Sequence, residues 1–275
     1  MKKLGVIQNR FSLIFLDLSE CSNLTDGGLK EFLRLSGCKL RVLIVSLTRI
    51  TGQGFQEGVS LPMLEELNLG WCIQLTDGGI KEILRLFGCK LRHLNVSHTD
   101  ITEHAFQEGV SLPMLEVLYM RACEHLTDGG LKEILRLSGC KLRVIDLRHT
   151  NITGQGFKNG VKSLTMLEEL NLEWCNYLTD GGLNEILRFF GLKLRVLYVG
   201  HTNITGQGFK EGVSLPMLEK QDMNDYQQLT DSGLLEILSI TGNRLKKVYV
   251  YVELLHNLSL SLPNILLLYL IVICR

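Results

Sequence analysis

Residues Leu64 to Pro113 read LEELNLGWCIQLTDGGIKEILRLFGCKLRHLNVSHTDITEHAFQEGVSLP, and most of the chain repeats this pattern. The motif CxxLTDGG, followed by Leu or Ile, starts at Cys21, Cys72, Cys123 and Cys175. A fifth copy carries Tyr226 in place of the cysteine. A second half of the form KLRVLxVxxTxITGQGF follows from Lys39, Lys90, Lys141 and Lys193. Leu24, Leu75, Leu126, Leu178 and Leu229 set a nearly constant period. A fixed period of this length signals a stacked array held by nearest-neighbour contacts, not one globule.

Each half of the unit has its own local logic. In LIFLDLSEC, Leu16 and Leu18 alternate with Phe15, Asp17 and Ser19, so the two sets face opposite sides of a short strand. Cys21 is then expected to turn inward as a small, weakly polar packing group. In LTDGGLKEFLRLSG, Thr25 reads as a helix cap, and Leu29, Phe32 and Leu33 fall at helical spacing on an inward face. The other half has a strand around Val42–Ser46, with Thr48 in the cysteine position. Gly52, Gly54 and Gly58 then predict a tight outer loop or short 3₁₀ turn, not a long helix. The expected fold is therefore α/β: a curved solenoid with a parallel sheet on its concave side and alternating helices and short turns on its convex side.

Residues 1–11 are expected to form a short N-terminal cap, 12–252 an array of about ten half-repeats, and 253–275 a degenerate apolar end. That end aligns NILLLYL (Asn264–Leu270) with MLEELNL as an eleventh strand. Its apolar run is about half of the ~20 residues a membrane-spanning helix needs, so no membrane partner is expected. When strands stack in register, Arg41, Glu65, Arg92, Glu116, Arg143, Glu168, Arg195, Glu219 and Lys246 share one column. The signs alternate, which predicts an ion ladder that helps to fix strand register.

The pattern LxxLxLxxCxxLTDGGLKEIL resembles the cysteine-containing class of leucine-rich repeats, best known from F-box/LRR proteins, the substrate receptors of SCF-type ubiquitin ligases. Leu67, Leu69, Cys72, Leu75, Thr76, Asp77, Gly79 and Ile80 carry the match, with their counterparts in the other copies. The resemblance covers roughly residues 12–252. It implies a leucine-rich-repeat horseshoe with a protein-binding concave surface. Two departures stand out: Thr48, Thr99, Thr150 and Thr202 replace the family's usual Cys or Asn, and the residues before the first repeat are too few for an F-box.

The repeated reactive residues do not assemble into a chemical site. The 29 Lys plus Arg balance 29 Asp plus Glu, which leaves no net basic charge to capture nucleic acid. The eight cysteines do not suit a disulfide framework, because equivalent positions lie two strands apart, about 9–10 Å. Unpaired thiols favour a reducing compartment, cytoplasmic or nuclear. His98, His149 and His201 are also two strands apart, too far to share a zinc ion, and read as loop residues multiplied by duplication. TGQGF lacks the context of a phosphate loop. No catalytic set, cofactor site or metal site is expected, and a hydrolase or metal enzyme is the weakest reading. A sensing fragment of an intracellular immune-type receptor is the alternative binding role.

The informative residues are those that vary while the framework repeats. Tyr119, Arg121, Asp146, Arg148, Glu173, Trp174 and Tyr198 are predicted to form a mixed aromatic and charged concave patch that binds another protein, with Trp71 and Trp174 on its rim. Tyr, Trp and Arg are the residue types enriched in interface hot spots. No sequence feature fixes an oligomeric state.

Overall fold

The structure, a computed structural model, describes residues 12–250 apart from 37–38, 57, 108, 139–140, 156–165, 210–211, 224–229 and 242–243. The expected cap and the expected apolar end lie outside the described residues.

Ten short strands form one parallel sheet in sequence order. They are β1 (Phe15–Asp17), β2 (Val42–Ile44), β3 (Glu66–Asn68), β4 (His93–Asn95), β5 (Val117–Tyr119), β6 (Val144–Asp146), β7 (Glu169–Asn171), β8 (Val196–Tyr198), β9 (Lys220–Met223) and β10 (Lys247–Val250). Five helices follow the odd strands: α1 (Asp26–Ser36), α2 (Asp77–Phe87), α3 (Asp128–Leu137), α4 (Asp180–Phe190) and α5 (Asp231–Ile240). Short 3₁₀ turns, at Gln53–Phe55, Glu103–Phe106 and Gln207–Phe209, take the helix position after β2, β4 and β8.

The sheet register aligns one residue of every strand: Leu16, Leu43, Leu67, Leu94, Leu118, Ile145, Leu170, Leu197, Gln221 and Val248. From Leu43 to Leu197 this spine is buried and apolar. Gln221 is equally buried, but its Oε1 has no partner. The helices add one buried stripe each, such as Ile80, Ile83, Leu84 and Phe87 in α2. Phe32 departs from its expected inward place: it is 39% exposed, while Leu29 and Leu33 are buried.

The LTDGG motif acts between units as well as within one. The hydroxyl of Thr76 caps α2 by accepting the N–H of Gly79 at 3.0 Å. The next residue, Asp77, reaches forward to the following turn, where it accepts the N–H and the hydroxyl of Thr102, both at 2.7 Å. Asp26, Asp128 and Asp180 do the same for Thr51, Thr153 and Thr205. Gly79 faces backward. A Cβ there would sit 2.1 Å from the carbonyl oxygen of Thr51 and against Gly52, whose φ is +98°. Only two glycines allow the helix start and the preceding turn to approach so closely.

The buried cysteines also join units. The Cys72 thiol donates to the carbonyl of Val45 at 3.2 Å, and the Thr48 hydroxyl donates to the same oxygen at 2.7 Å. Cys123 with Thr99 and Cys175 with Thr150 repeat the arrangement. Cys21 does not turn inward as expected. It is exposed, and the described residues give its thiol no carbonyl of the kind that Val45 offers Cys72.

The charge column resolves into pairs. Arg41–Glu65 (2.7 Å), Arg92–Glu116 (2.8 Å), Arg143–Glu168 (2.9 Å) and Arg195–Glu219 (2.8 Å) join each even strand to the odd strand after it. Among the described residues only Glu219 is bridged on both sides, by Arg195 and Lys246. The expected continuous ladder is thus a series of separate, half-exposed clasps.

Candidate functional site

The concave face is built on three parallel rows of side chains: the strand-end residues, the strand-start residues such as Glu66, His93 and Val117, and a row at the rim just past the strands. The first row holds the strand-end residues Asp17, Ile44, Asn68, Asn95, Tyr119, Asp146, Asn171, Tyr198, Asp222 and Tyr249, which the register aligns. Most of its Asp and Asn residues perform one structural task. Each accepts the backbone N–H two residues on: Asp17 from Ser19, Asn68 from Gly70, Asn95 from Ser97, Asp146 from Arg148 and Asn171 from Glu173, at 2.8–3.0 Å. These are Asx turns that end the strands. Tyr119 and Tyr198 break the rule by placing aromatic rings where the framework puts a turn-former.

The two tyrosines flank a concavity of about 460 Å³. Tyr119, Arg121, Asp146, Arg148, Glu173 and Tyr198 all line it, six of the eight predicted residues. Their roles differ. Asp146 is buried, and its carboxylate grips the Arg148 guanidinium, with Nε at 3.0 Å and Nη2 at 2.6 Å. Asp146 thus braces Arg148 within the predicted patch. Its hydrogen bond holds Arg148 above the ordinary arginine range. Glu173 accepts from the Asn171 side chain at 3.2 Å. Tyr198 is braced from the far side by Lys220, whose ammonium donates to the phenol at 3.0 Å and lies 4.4 Å from the ring centre. Tyr119 is 41% exposed. Its partial burial, with Glu169, Asp146 and Glu66 around it, pushes the phenol above the usual tyrosine range. Arg121 has an Nε that is shut off from solvent without a hydrogen-bond partner.

Trp71 and Trp174 lie elsewhere, on the third row at the rim. That row is Glu20, Leu47, Trp71, His98, Ala122, His149, Trp174 and His201, all with φ between 52° and 61°. The left-handed conformation aims successive N–H groups at the next unit: Trp71 donates to the carbonyl of Ser97, His98 to Arg121, Ala122 to Arg148 and His149 to Glu173. It also turns the side chains into a common stack. Trp71 and His98 stack at 3.7 Å, His149 and Trp174 at 5.2 Å, and Trp174 and His201 at 3.9 Å, each within 11° of parallel. The repeated histidines are thus partners of tryptophans. Residue-type spacing showed their repetition but gave no sign that alternate units would supply the tryptophans. Among the described residues no group of three or more His, Cys, Asp or Glu could hold a metal ion. No described helix is long and apolar enough to cross a membrane.

Comparison with known proteins agrees with this geometry. Residues 60–84, 89–103 and 163–187 match the Leucine Rich repeat family. The chain is a leucine-rich-repeat solenoid. It is 29% identical over 181 residues to F-box/LRR-repeat protein 4 of Bos taurus, covering 62% of this chain and 29% of that protein. It is 29% identical over 184 residues to the DNA repair protein rhp7 of Schizosaccharomyces pombe, covering 62% of this chain and 32% of the relative. The leucine-rich-repeat chain thus spans about a third of the length of these two relatives. Among solved structures, TLR13 in its ssRNA13 complex superposes with a TM-score of 0.51 at 17% identity, over 87% of this chain and 39% of that one. The likeness at that identity is one of fold.

Proposed function

We propose that this leucine-rich-repeat chain is a non-enzymatic recognition module that binds a partner protein on its concave face. The observation that carries this reading is the placement of Tyr119 and Tyr198. Both interrupt a row of Asx turns, and both border the same concavity beside Arg121, Arg148 and Glu173. Rigid aromatics beside charges fixed by neighbours are what an interface core needs. The likeness to F-box/LRR-repeat protein 4 supports a finer role, as the substrate-recognising part of an SCF-type ubiquitin ligase acting in the cytoplasm or nucleus. The receptor-fragment alternative has no observation of its own in its favour.

Affinity capture with mass spectrometry, using the full chain as bait, tests the reading. Tyr119→Ala with Arg148→Ala is expected to lose at least tenfold of the captured partner, as the removal of two hot-spot side chains does. Equal loss from Lys81→Ala with Lys132→Ala, on the helical face, would refute it. Circular dichroism confirms that each variant remains folded. Recovery of ubiquitin-ligase subunits tests the finer role.

A further inference from the structure

The ring stack along the rim has one gap. Going along the sheet, Trp71 and His98 stack, Ala122 follows, and then His149, Trp174 and His201 stack again. Each histidine beside the gap is stacked on one tryptophan, and Ala122 is the residue of the row between them. The gap spans two strand steps, about 9.5 Å. Two offset-stacked ring contacts of roughly 4.5–5 Å fill that span with one inserted ring. The backbone at Ala122 keeps the conformation of its ring-bearing neighbours, φ 54° against 57° at His98 and 56° at His149. The ladder is therefore continuous in backbone and interrupted only in side chains.

Arg121 stands beside this gap. It is next to Ala122 in sequence, and its charge is felt by both His98 and His149. Its Nε is shut off from solvent with no hydrogen-bond partner. Arg121 also lines the concavity, where an acceptor brought by a partner can reach it. The arginines of the neighbouring clasps are satisfied by carboxylates on this chain; Arg121 has no such carboxylate among the described residues.

We propose that the gap over Ala122 is the insertion site for one aromatic side chain of the partner protein, with a partner carboxylate next to that ring received by Arg121. The proposal rests on the concave-face reading and gives the chemistry of its partner. Peptide chemistry is favoured over a nucleobase because the 29 Lys plus Arg are balanced by 29 Asp plus Glu, which leaves no net basic charge to hold a phosphate backbone. Burial, then the Arg121 charge, holds both histidines below the ordinary histidine range, so at neutral pH the walls are neutral rings suited to stacking.

The test uses N-acetyltryptophan, which carries both an indole and a carboxylate, titrated into the full chain while the histidine ring protons are followed by NMR. Saturable upfield shifts are expected at His98 and His149, with those at His201 unmoved. N-acetylleucine, which lacks the ring, is expected to give none. N-acetyltryptophanamide, which lacks the carboxylate, is expected to bind about tenfold more weakly, the equivalent of one charge-assisted hydrogen bond. Ala122→Trp fills the gap with a residue that the same row already carries at Trp71 and Trp174, and is expected to abolish the shifts while the chain stays folded. Shifts spread evenly over all the histidines, or unchanged in the Ala122→Trp variant, would overturn the proposal. So would tighter binding of adenosine monophosphate than of N-acetyltryptophan. If Ala122→Trp leaves partner capture intact while Tyr119→Ala with Arg148→Ala abolishes it, the insertion site falls and the concave-face reading stands.

Discussion

The first unit and the second unit carry nearly the same letters and do different things with them. In the second, Cys72 is buried, Leu67 and Leu69 are sealed, Gly79 presses on Thr51, and the Thr76 hydroxyl reaches the same carbonyl at 3.2 Å. In the first, Cys21 is exposed, Leu16 and Leu18 are half-buried, and a Cβ on Gly28 would meet only the Thr25 hydroxyl of its own turn, at 3.4 Å. The forward contacts are the same in both: Asp26 holds Thr51 as Asp77 holds Thr102. The motif is therefore two-sided. Its aspartate addresses the unit ahead, and its cysteine and second glycine address the unit behind. Only where a neighbour stands behind does the second set become structural.

The glycines break this comparison most sharply. Gly79→Ala drives a methyl group into a backbone oxygen, which overpacks a rigid junction and is expected to cost about 3 kcal/mol or more. Gly28→Ala meets open space in a helix and is expected to be neutral or to stabilise by up to about 1 kcal/mol. Urea midpoints of the two variants measure the difference, and equal losses would show that the glycine is needed for its own helix and not for its neighbour. The aspartates should show no such split. Asp26→Ala and Asp77→Ala each remove charge-assisted bonds to the following turn and are expected to lose a similar amount, about 2 kcal/mol.

Much of this was legible in the sequence, because each repeat is a copy of one experiment. The period, the leucine spine at Leu67 and Leu94, the helix that begins within LTDGG and the short turns at Gln53–Phe55 and Gln207–Phe209 within ITGQGF all follow from local spacing. What spacing could not supply was which neighbour completes each residue. Asp77 looks like an ordinary first-turn acid, and nothing local shows that it bonds Thr102. Asp146 and Arg148 look like two surface charges, yet they close on each other. The histidines look like scattered loop residues until alternate strands bring Trp71 and Trp174 alongside them. The proposed binding surface was legible in outline: six of the predicted residues share one concavity, and the two tryptophans lie on the rim, where their place just past the strands puts them.

The spine offers the next test. Gln221 occupies the place of Leu67 and Leu118 and is fully buried, with its Nε2 only 3.4 Å from the Met223 sulfur and its Oε1 unpartnered. Gln221→Leu restores the apolar column and is expected to raise stability by about 1–3 kcal/mol. A destabilising result would mean that the amide satisfies a need that the leucines elsewhere do not.

The cysteines probe the same contrast between units without changing packing. In the native chain a thiol reagent is expected to modify Cys21 and to spare Cys72, Cys123 and Cys175, with the labelled peptides located by mass spectrometry. Burial pushes the Cys123 and Cys175 thiols up to about 11. The folded state then keeps protons that the unfolded chain releases from near pH 9, so their stabilising effect is complete below that pH and is lost as pH rises toward 11. Replacing both by serine is expected to flatten the alkaline loss of stability, whereas Cys21→Ser leaves it unchanged.

The charge clasps set the smallest effect and the finest distinction. Arg92 and Glu116 meet at 2.8 Å with much of the arginine in water, so the pair is worth about 0.2–1 kcal/mol. Glu219 differs, because it holds Arg195 and Lys246 together, and both bonds draw its carboxyl below the usual glutamate range. A network of three charges resists screening better than a pair does, since losing one bond leaves the other in place. Glu219→Gln is therefore expected to cost slightly more than Glu116→Gln, with both losses shrinking in ~1 M salt as the Debye length contracts to about 3 Å. If the two variants are indistinguishable in urea at low salt, the clasps act independently and the register of β9 and β10 is held by backbone pairing alone.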